Sequence, residues 1–375
     1  MSAGFHVEVG HLAGFGAMTA VLHEQLLSCS AHVDEARPGG GYEGLMSALV
    51  SPMGTLCDGI TSRVGSRGEL VGGLRDTLTV TAWDYNGTDA SVYTEVTFIP
   101  VAGPGVFETA ILDFPDAVAY DTGTDPALPV PAHEEADIQA LLDEVGGSIK
   151  VVDWAVREVT GWSPVETIVD PLAGNWTELT RAATVLEQFG AGSEQVAANL
   201  TAPLARLSEH WQGGAATDFE SYLIRLAAAI EIEGPIHRLV AYVLKEIAGE
   251  FEAVAEYMVT TLKSAVDKIA TSIATGWVPF VGWYKVYEAV MAVIEILTEA
   301  KNLIDELDAL VDQVVAVLDA AQDPVGFVQD QAADVLAPYL GGAEVAQDLA
   351  RLDPSDLEDA PDDPYSVGTD PHRAS

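Results

Sequence analysis

The side chains in this chain that could bind a metal, attack a carbonyl or move a proton are many, but they are poorly spaced for those tasks. His6, His11, His23 and His32 crowd the first stretch. No acidic ligands accompany them at the fixed, turn-matched spacing that a metal motif on a helix needs, so they read as surface or interfacial histidines. Two cysteines, Cys29 and Cys57, are too few for a disulfide scaffold or a cysteine-based zinc site. They would lie level with each other if a turn falls near 38–42, and so either pair as a disulfide or stay as small buried thiols. There is no phosphate-cradling Gly-x-x-x-x-Gly-Lys loop, no Gly-x-Ser-x-Gly elbow and no His-Glu-x-x-His pair. The expectation is therefore no catalytic residue, no metal and no cofactor. What stands out instead is "HWQGGAATDF", which sets the bulkiest side chain, Trp211, beside Gly213 and Gly214 at a turn.

The elements that would hold these residues are helical. Residues 5–35 and 43–94 read as two helices around the turn "EARPGGGYEG". Pro52 is expected to kink or interrupt the second, and Gly65, Gly68, Gly72 and Gly73 lower its helicity. Residues 95–133 are rich in Pro and Gly with short β-branched runs, and read as a linker that is irregular or carries one short β-hairpin. Helices resume over 134–145 and 147–160. Over 176–209, Leu179, Leu186, Leu200 and Leu207 fall at multiples of seven, a coiled-coil type of seam. Phe219, Leu223, Leu226 and Ile230 continue an apolar stripe after the turn. Gly234-Pro235 marks a kink or break before a helix over 236–275, and Val290, Leu297, Ile304, Val311 and Leu318 pattern another over 284–321.

The fold class expected is all-α: two helical hairpins, four-helix-bundle-like, plus a long antiparallel helical extension and an irregular or short β linker. The division is 1–94, an N-terminal hairpin; 95–133, the linker; 134–233, a hairpin with lead-in helices; 234–351, the extension; and 352–375, a disordered acidic tail read from its polar, Pro-rich composition.

Composition narrows the partners. The chain has 375 residues, with 58 Asp and Glu against 17 Lys and Arg, a net charge of −41. Such a surface repels phosphate backbones and anionic lipid, so nucleic acid is not an expected partner. No Lys or Arg precedes Arg37 and no long apolar core opens the chain, so a cleaved signal peptide is not expected. The apolar run from Ile269 to Tyr284 is broken by Gly276, Pro279 and Gly282, which argues against a stable transmembrane anchor.

Trp211-Gln212-Gly213, set between two amphipathic helices in "NWTELTRAATVLEQFGAGSEQVAANLTAPLARLSEHWQGGAATDFESYL", resembles the signature of the WXG family. These are small helical hairpins exported by the type VII (ESX) secretion system. The lead-in "SPVETIVDPLAGNW" is similar to the segment preceding this hairpin in large actinobacterial secretion substrates. The resemblance covers about 163–233 and, more loosely, the helices to 321. The first hairpin, opening "GFHVEVGHLAGF", resembles the excreted type VII substrates of diderm actinobacteria, whose turn lacks Trp-x-Gly. In that wider family, export needs a Tyr-x-x-x-Asp/Glu motif just after a hairpin's second helix, and Tyr85 to Asp89 fits. Residues four apart share a helical face, although Asn86-Gly87 between them favours a turn. The same pattern recurs as Tyr242 to Glu246 and Tyr284 to Glu288, inside expected helices.

Family members work as hairpin pairs, the Trp-x-Gly turn of one beside the Tyr motif of the other. The resemblance implies that one chain holds both halves, 5–94 against 176–233 as a four-helix bundle. It further implies a non-enzymatic secreted substrate, released or at the cell surface without a cleaved signal peptide, with Trp211, Gly213, Tyr85 and Asp89 in the export signal. The implied partner is the system's motor ATPase or a chaperone, with a second helical-hairpin protein as a further candidate. Rival readings are a delivery module or partner of a secreted toxin, and a membrane-perturbing protein acting through 269–297.

Overall fold

A computed structural model describes residues 5–87, 94–99, 106–136, 138, 149–275, 282–331, 336 and 343–367. Helix α1 (Val9–His32) and helix α2 (Val50–Tyr85) form the first hairpin, joined through 3₁₀ turns at Val33–Ala36 and Gly44–Leu49. Leu12, Phe15, Met18, Leu22, Leu26 and Cys29 recur at three and four, making one stripe on α1 that is fully buried. Pro52 does not kink α2. The helix begins at Val50, so Pro52 sits in its first turn, where a backbone N–H has no helical partner to lose. The helix ends at Tyr85 because Asn86 and Gly87 turn the chain, Gly87 at φ +72°.

Cys29 and Cys57 are free and buried, so the disulfide alternative is not realised. They serve different contacts: Cys29 Sγ abuts Gly192 of the second hairpin, whereas Cys57 lies near Arg37 and Tyr42. Burial pushes the thiols up to about 12 and about 11, which leaves both unreactive at neutral pH.

Of the two forms open to the linker region, it takes the β-hairpin, strand β2 (Thr94–Ile99) against strand β3 (Val106–Ile111), with Thr94 opposite Ile111. The following residues are no loose tether. They cross α1 so closely that a Cβ on Gly14 would stand 1.8 Å from the Val118 carbonyl oxygen, and the Val118 N–H donates to the Gly10 carbonyl at 2.8 Å. Phe114 and Tyr120 are buried, and Asn199 Nδ2 donates to the Thr124 carbonyl. The segment therefore runs as a strap between the two hairpins.

Helix α3 (Ile149–Thr160) leads through a helical turn at Val165–Leu172 into the second hairpin. The helix expected over 134–145 lies mostly outside the described residues. The seam expected to run unbroken over 176–209 is divided into helix α4 (Thr177–Thr201) and helix α5 (Leu204–His210), because Pro203 cannot continue the ladder. After Trp211 and Gln212, helix α6 (Gly214–Glu231) returns against α4. Helix α7 (Glu233–Thr275) and helix α8 (Gly282–Gln322) form the long antiparallel extension, α7 on α4 and α8 on both α7 and α2. Residues 276–281, between them, lie outside the described residues. α1 packs on α4 and α2 touches α6 and α8, so the hairpins meet within one chain and share one core. The class is all-α.

The segment read as a disordered tail is ordered through Val367. Helix α9 (Ala343–Leu349) packs on α7, and helix α10 (Pro354–Glu358) packs on α6, capped by Asp353 accepting from the Ser355 N–H at 3.0 Å. Tyr365 is 8% exposed. Composition described the chain around this aromatic correctly, yet one large ring supplies enough buried area to dock it.

A buried ion cluster pins α2 to the start of α7. Glu233, fully buried, accepts both prongs of the Arg63 guanidinium at 3.3 Å and a hydrogen bond from Arg67 one turn on. Its carboxyl opposes burial but is held far below the usual range by the two arginines and His237. His237 Nδ1–H donates to the Glu233 carbonyl at 2.7 Å, which leaves Nε2 as a buried atom with no hydrogen-bond partner. Burial is the main force lowering this imidazole to about 4, against the pull of Glu233. A base with a depressed folded pKa binds its proton sooner when unfolded, so stability is full above about pH 6.5 and falls as pH drops toward 4. We expect a loss on the order of 2–3 kcal/mol across that window. Urea melts at pH 7 and pH 4.5 read it, and His237→Gln should flatten the difference; an equal slope in the variant would remove His237 as its source.

Candidate functional site at the Trp-x-Gly turn

Trp211 ends α5 in extended backbone, φ −137° and ψ 114°, which turns its ring inward while Gly213 starts the return. Gly213 adopts φ +125° and ψ −175°, a region essentially closed to residues with a Cβ. Its carbonyl accepts from the Thr217 N–H at 3.1 Å and so opens α6. The sequence at this turn thus has a local reason for both residues: glycine for the backbone, tryptophan to close the hairpin.

The closed end is an aromatic cluster drawn from the whole length of the chain. Trp211, 2% exposed, lies 5.4 Å from Phe219, which meets Phe15 at 5.6 Å and Tyr365 at 5.1 Å. Tyr365 is tied down by its hydroxyl donating to the Ala215 carbonyl at 3.0 Å. Tyr85, half-buried at the end of α2, faces the Trp211 indole N–H with its hydroxyl, a contact short of strict hydrogen-bond geometry. Burial raises the Tyr85 phenol, and the indole N–H works the other way.

A short strand β1 (His6–Val7) covers this end by pairing antiparallel with strand β4 (Trp211–Gln212), Val7 opposite Trp211. The Glu8 N–H then donates to the His210 carbonyl at 2.8 Å. Phe5 seals the edge, 5.3 Å from the Tyr85 ring and in contact range of Gly213. Beside the turn a groove of about 280 Å³ opens between Leu204, Leu207, Gln212, Thr217 and Glu220, with Trp211 in its floor.

Behind the strand, His11 and His210 stack with ring centroids 3.6 Å apart and planes 15° from parallel. Glu8 reaches both: Oε1 lies 3.1 Å from His210 Nδ1 and Oε2 lies 3.8 Å from His11 Nε2. The hydrogen bond from His210 lowers the Glu8 carboxyl. Burial, then His210 and Arg206, lowers His11. His11 Nδ1 and the Tyr120 hydroxyl are 3.0 Å apart, with the Arg206 guanidinium 4.6 Å above the tyrosine ring. Among the described residues, Glu8, His11 and His210 are the group whose nitrogen and oxygen atoms could close on a cation.

Of the residues singled out in the sequence, the fold brings Trp211, Gly213 and Tyr85 together at one end of the paired hairpins. Asp89 lies outside the described residues, and α2 stops at Tyr85. The shared helical face imagined for Tyr85 and Asp89 is thus not built by α2. Tyr242 is in the interior of α7, on the surface opposed to α4 and α9. Sequence reasoning missed Phe5, Val7 and Tyr365, whose signals were an alternation in "FHVEV" and a lone aromatic in an acidic stretch. It also missed His210 as a companion of His11, since no local pattern links them. The arrangement gathers Glu8, His11, Tyr120 and His210 into one linked polar cluster behind the strand. In comparison with known proteins, the chain matches no family model, no curated protein and no solved structure.

Proposed function

We propose that this chain is a non-enzymatic substrate of a type VII (ESX) secretion system, exported folded, with the closed end around Trp211 as part of its recognition surface. The observation that carries the reading is the packing of Tyr85 against Trp211 within one chain. The resemblance of both hairpins to that family requires this neighbourhood, and two unrelated hairpins would have no reason to produce it. Trp211 is too buried to be gripped directly. The partner, a motor ATPase or a chaperone, would instead read the groove and strand that Trp211 supports. The acidic surface fits an exported protein that stays in solution.

The test is the protein's level in culture filtrate against cell pellet in an actinobacterial host. Wild type is compared with Tyr85→Ala/Asp89→Ala and with Trp211→Phe, each checked for folding by circular dichroism. The expected result is release of wild type and retention of the folded variants. Equal release of all three, or of none, would return Trp211 to the role of a packing residue.

A further inference from the structure

We propose that Glu8, His11 and His210 form a binding site for one divalent transition-metal ion of the zinc type, which fastens the amino-terminal strand to the Trp-x-Gly turn. The donor set is two imidazoles and one carboxylate, which zinc accepts while keeping a fourth position for water. Their donor atoms all lie within 4.8 Å of one another. Zinc bonds of about 2.0–2.2 Å bring tetrahedral ligands to roughly 3.3–3.6 Å apart, so small side-chain shifts suffice. Glu8 turns one oxygen to each imidazole, Oε1 at 3.1 Å from His210 Nδ1 and Oε2 at 3.8 Å from His11 Nε2.

Two further features point to a cation here. His210 Nδ1 is a buried atom whose facing polar group is Glu8 Oε1 at 3.1 Å, so the ring nitrogen and the carboxylate already approach each other as neighbouring ligands would. His11 is held through its other nitrogen by the Tyr120 hydroxyl at 3.0 Å, the kind of outer contact that orients a ligating imidazole. The backbone frame is also in place before any ion arrives. Strand β1 pairs with β4, and the Glu8 N–H is bonded to the His210 carbonyl, so the ligands need little ordering.

Two opposing terms set the strength. Stacked rings cannot aim their in-plane lone pairs at one point, so His210, whose side chain is 27% exposed, must turn about its Cβ–Cγ bond on loading. Arg206 adds a positive charge nearby. The net charge of −41 works the other way by concentrating cations at the surface. Imidazole donors select zinc, copper or nickel over magnesium and calcium.

The test uses the full chain, stripped with a chelator and titrated calorimetrically with zinc in excess magnesium, which occupies surface carboxylates. Glu8→Gln removes the carboxylate charge, and His210→Phe keeps a stacked ring without the ligand nitrogen. Circular dichroism checks that both fold. One-to-one zinc binding is expected, weakened at least about tenfold in each variant. Cobalt should give a visible absorption band in wild type that both variants lose. Unchanged zinc affinity in the two variants, or no saturable zinc binding above the magnesium background, would overturn the site. The proposal is independent of the export reading, and neither outcome bears on secretion.

Discussion

Glu233→Ala should destabilise the folded chain by about 3–5 kcal/mol, the largest single effect expected away from the Trp-x-Gly end. The reason is the partners left behind. Arg63 and Arg67, with side chains 20% and 12% exposed, lose the carboxylate that neutralises them, and neither has room to reach water fully. Glu233 also begins α7, where a negative charge opposes the helix dipole's positive end. A second variant separates the charge from the shape. Replacing Arg63, Arg67 and Glu233 together with Met removes every unpaired ion and should cost less than Glu233→Ala alone. Urea melts followed by circular dichroism measure both. A loss under about 1 kcal/mol in the single variant would mean that water reaches the arginines and that the cluster does not pin α2 to α7.

At the other end, Trp211→Ala should cost about 3–5 kcal/mol, the usual penalty for emptying a packed aromatic site. The expected loss is local as well as global. Trp211 is both a core ring against Phe219 and the residue paired with Val7, so its removal takes away the floor on which β1 lies. The Glu8 amide, bonded to the His210 carbonyl, should lose its protection almost completely, while amides in the middle of α7 lose only what the global destabilisation takes. Trp211→Phe, which retains a ring against Phe219, should lose less on both measures. Unaltered exchange at Glu8 in Trp211→Ala would show that backbone pairing alone holds the strand.

The two effects sit at opposite interfaces of the same hairpin pair, and they share a logic. In a chain with 17 basic residues, two arginines are committed to a single buried glutamate. In a chain whose helices could close on aliphatic residues alone, aromatics from Phe5, Phe15, Tyr85, Trp211, Phe219 and Tyr365 converge on one end. Both devices join residues from different hairpins or helices at a defined place, Arg63 and Arg67 to Glu233 at one and Phe15 to Phe219 at the other.

Residue spacing alone gives the elements and their apolar faces. Leu12 to Cys29 on α1, Leu179 to Leu200 on α4 and Val290 to Leu318 on α8 are buried where their spacing puts them, because a period near 3.6 admits one inward stripe. Residue type likewise gives the turn at Trp211, since Gly213 and Gly214 leave few alternatives. What those faces meet follows from the packing of whole helices. Pro203 broke a seam that the heptads continued, and Pro52 proved harmless because the helix began just before it. The 112–133 strap lies on α1 because Gly10 and Gly14 have no side chain to hold it off. Tyr365 found a pocket that its acidic neighbours gave no sign of. Glu8, His11 and His210 belong to one cluster although His210 is remote in sequence. Periodicity is a property of the local backbone, legible in any helix-length window. Juxtaposition of distant residues depends on the relative placement of whole helices, and no spacing along the chain records it.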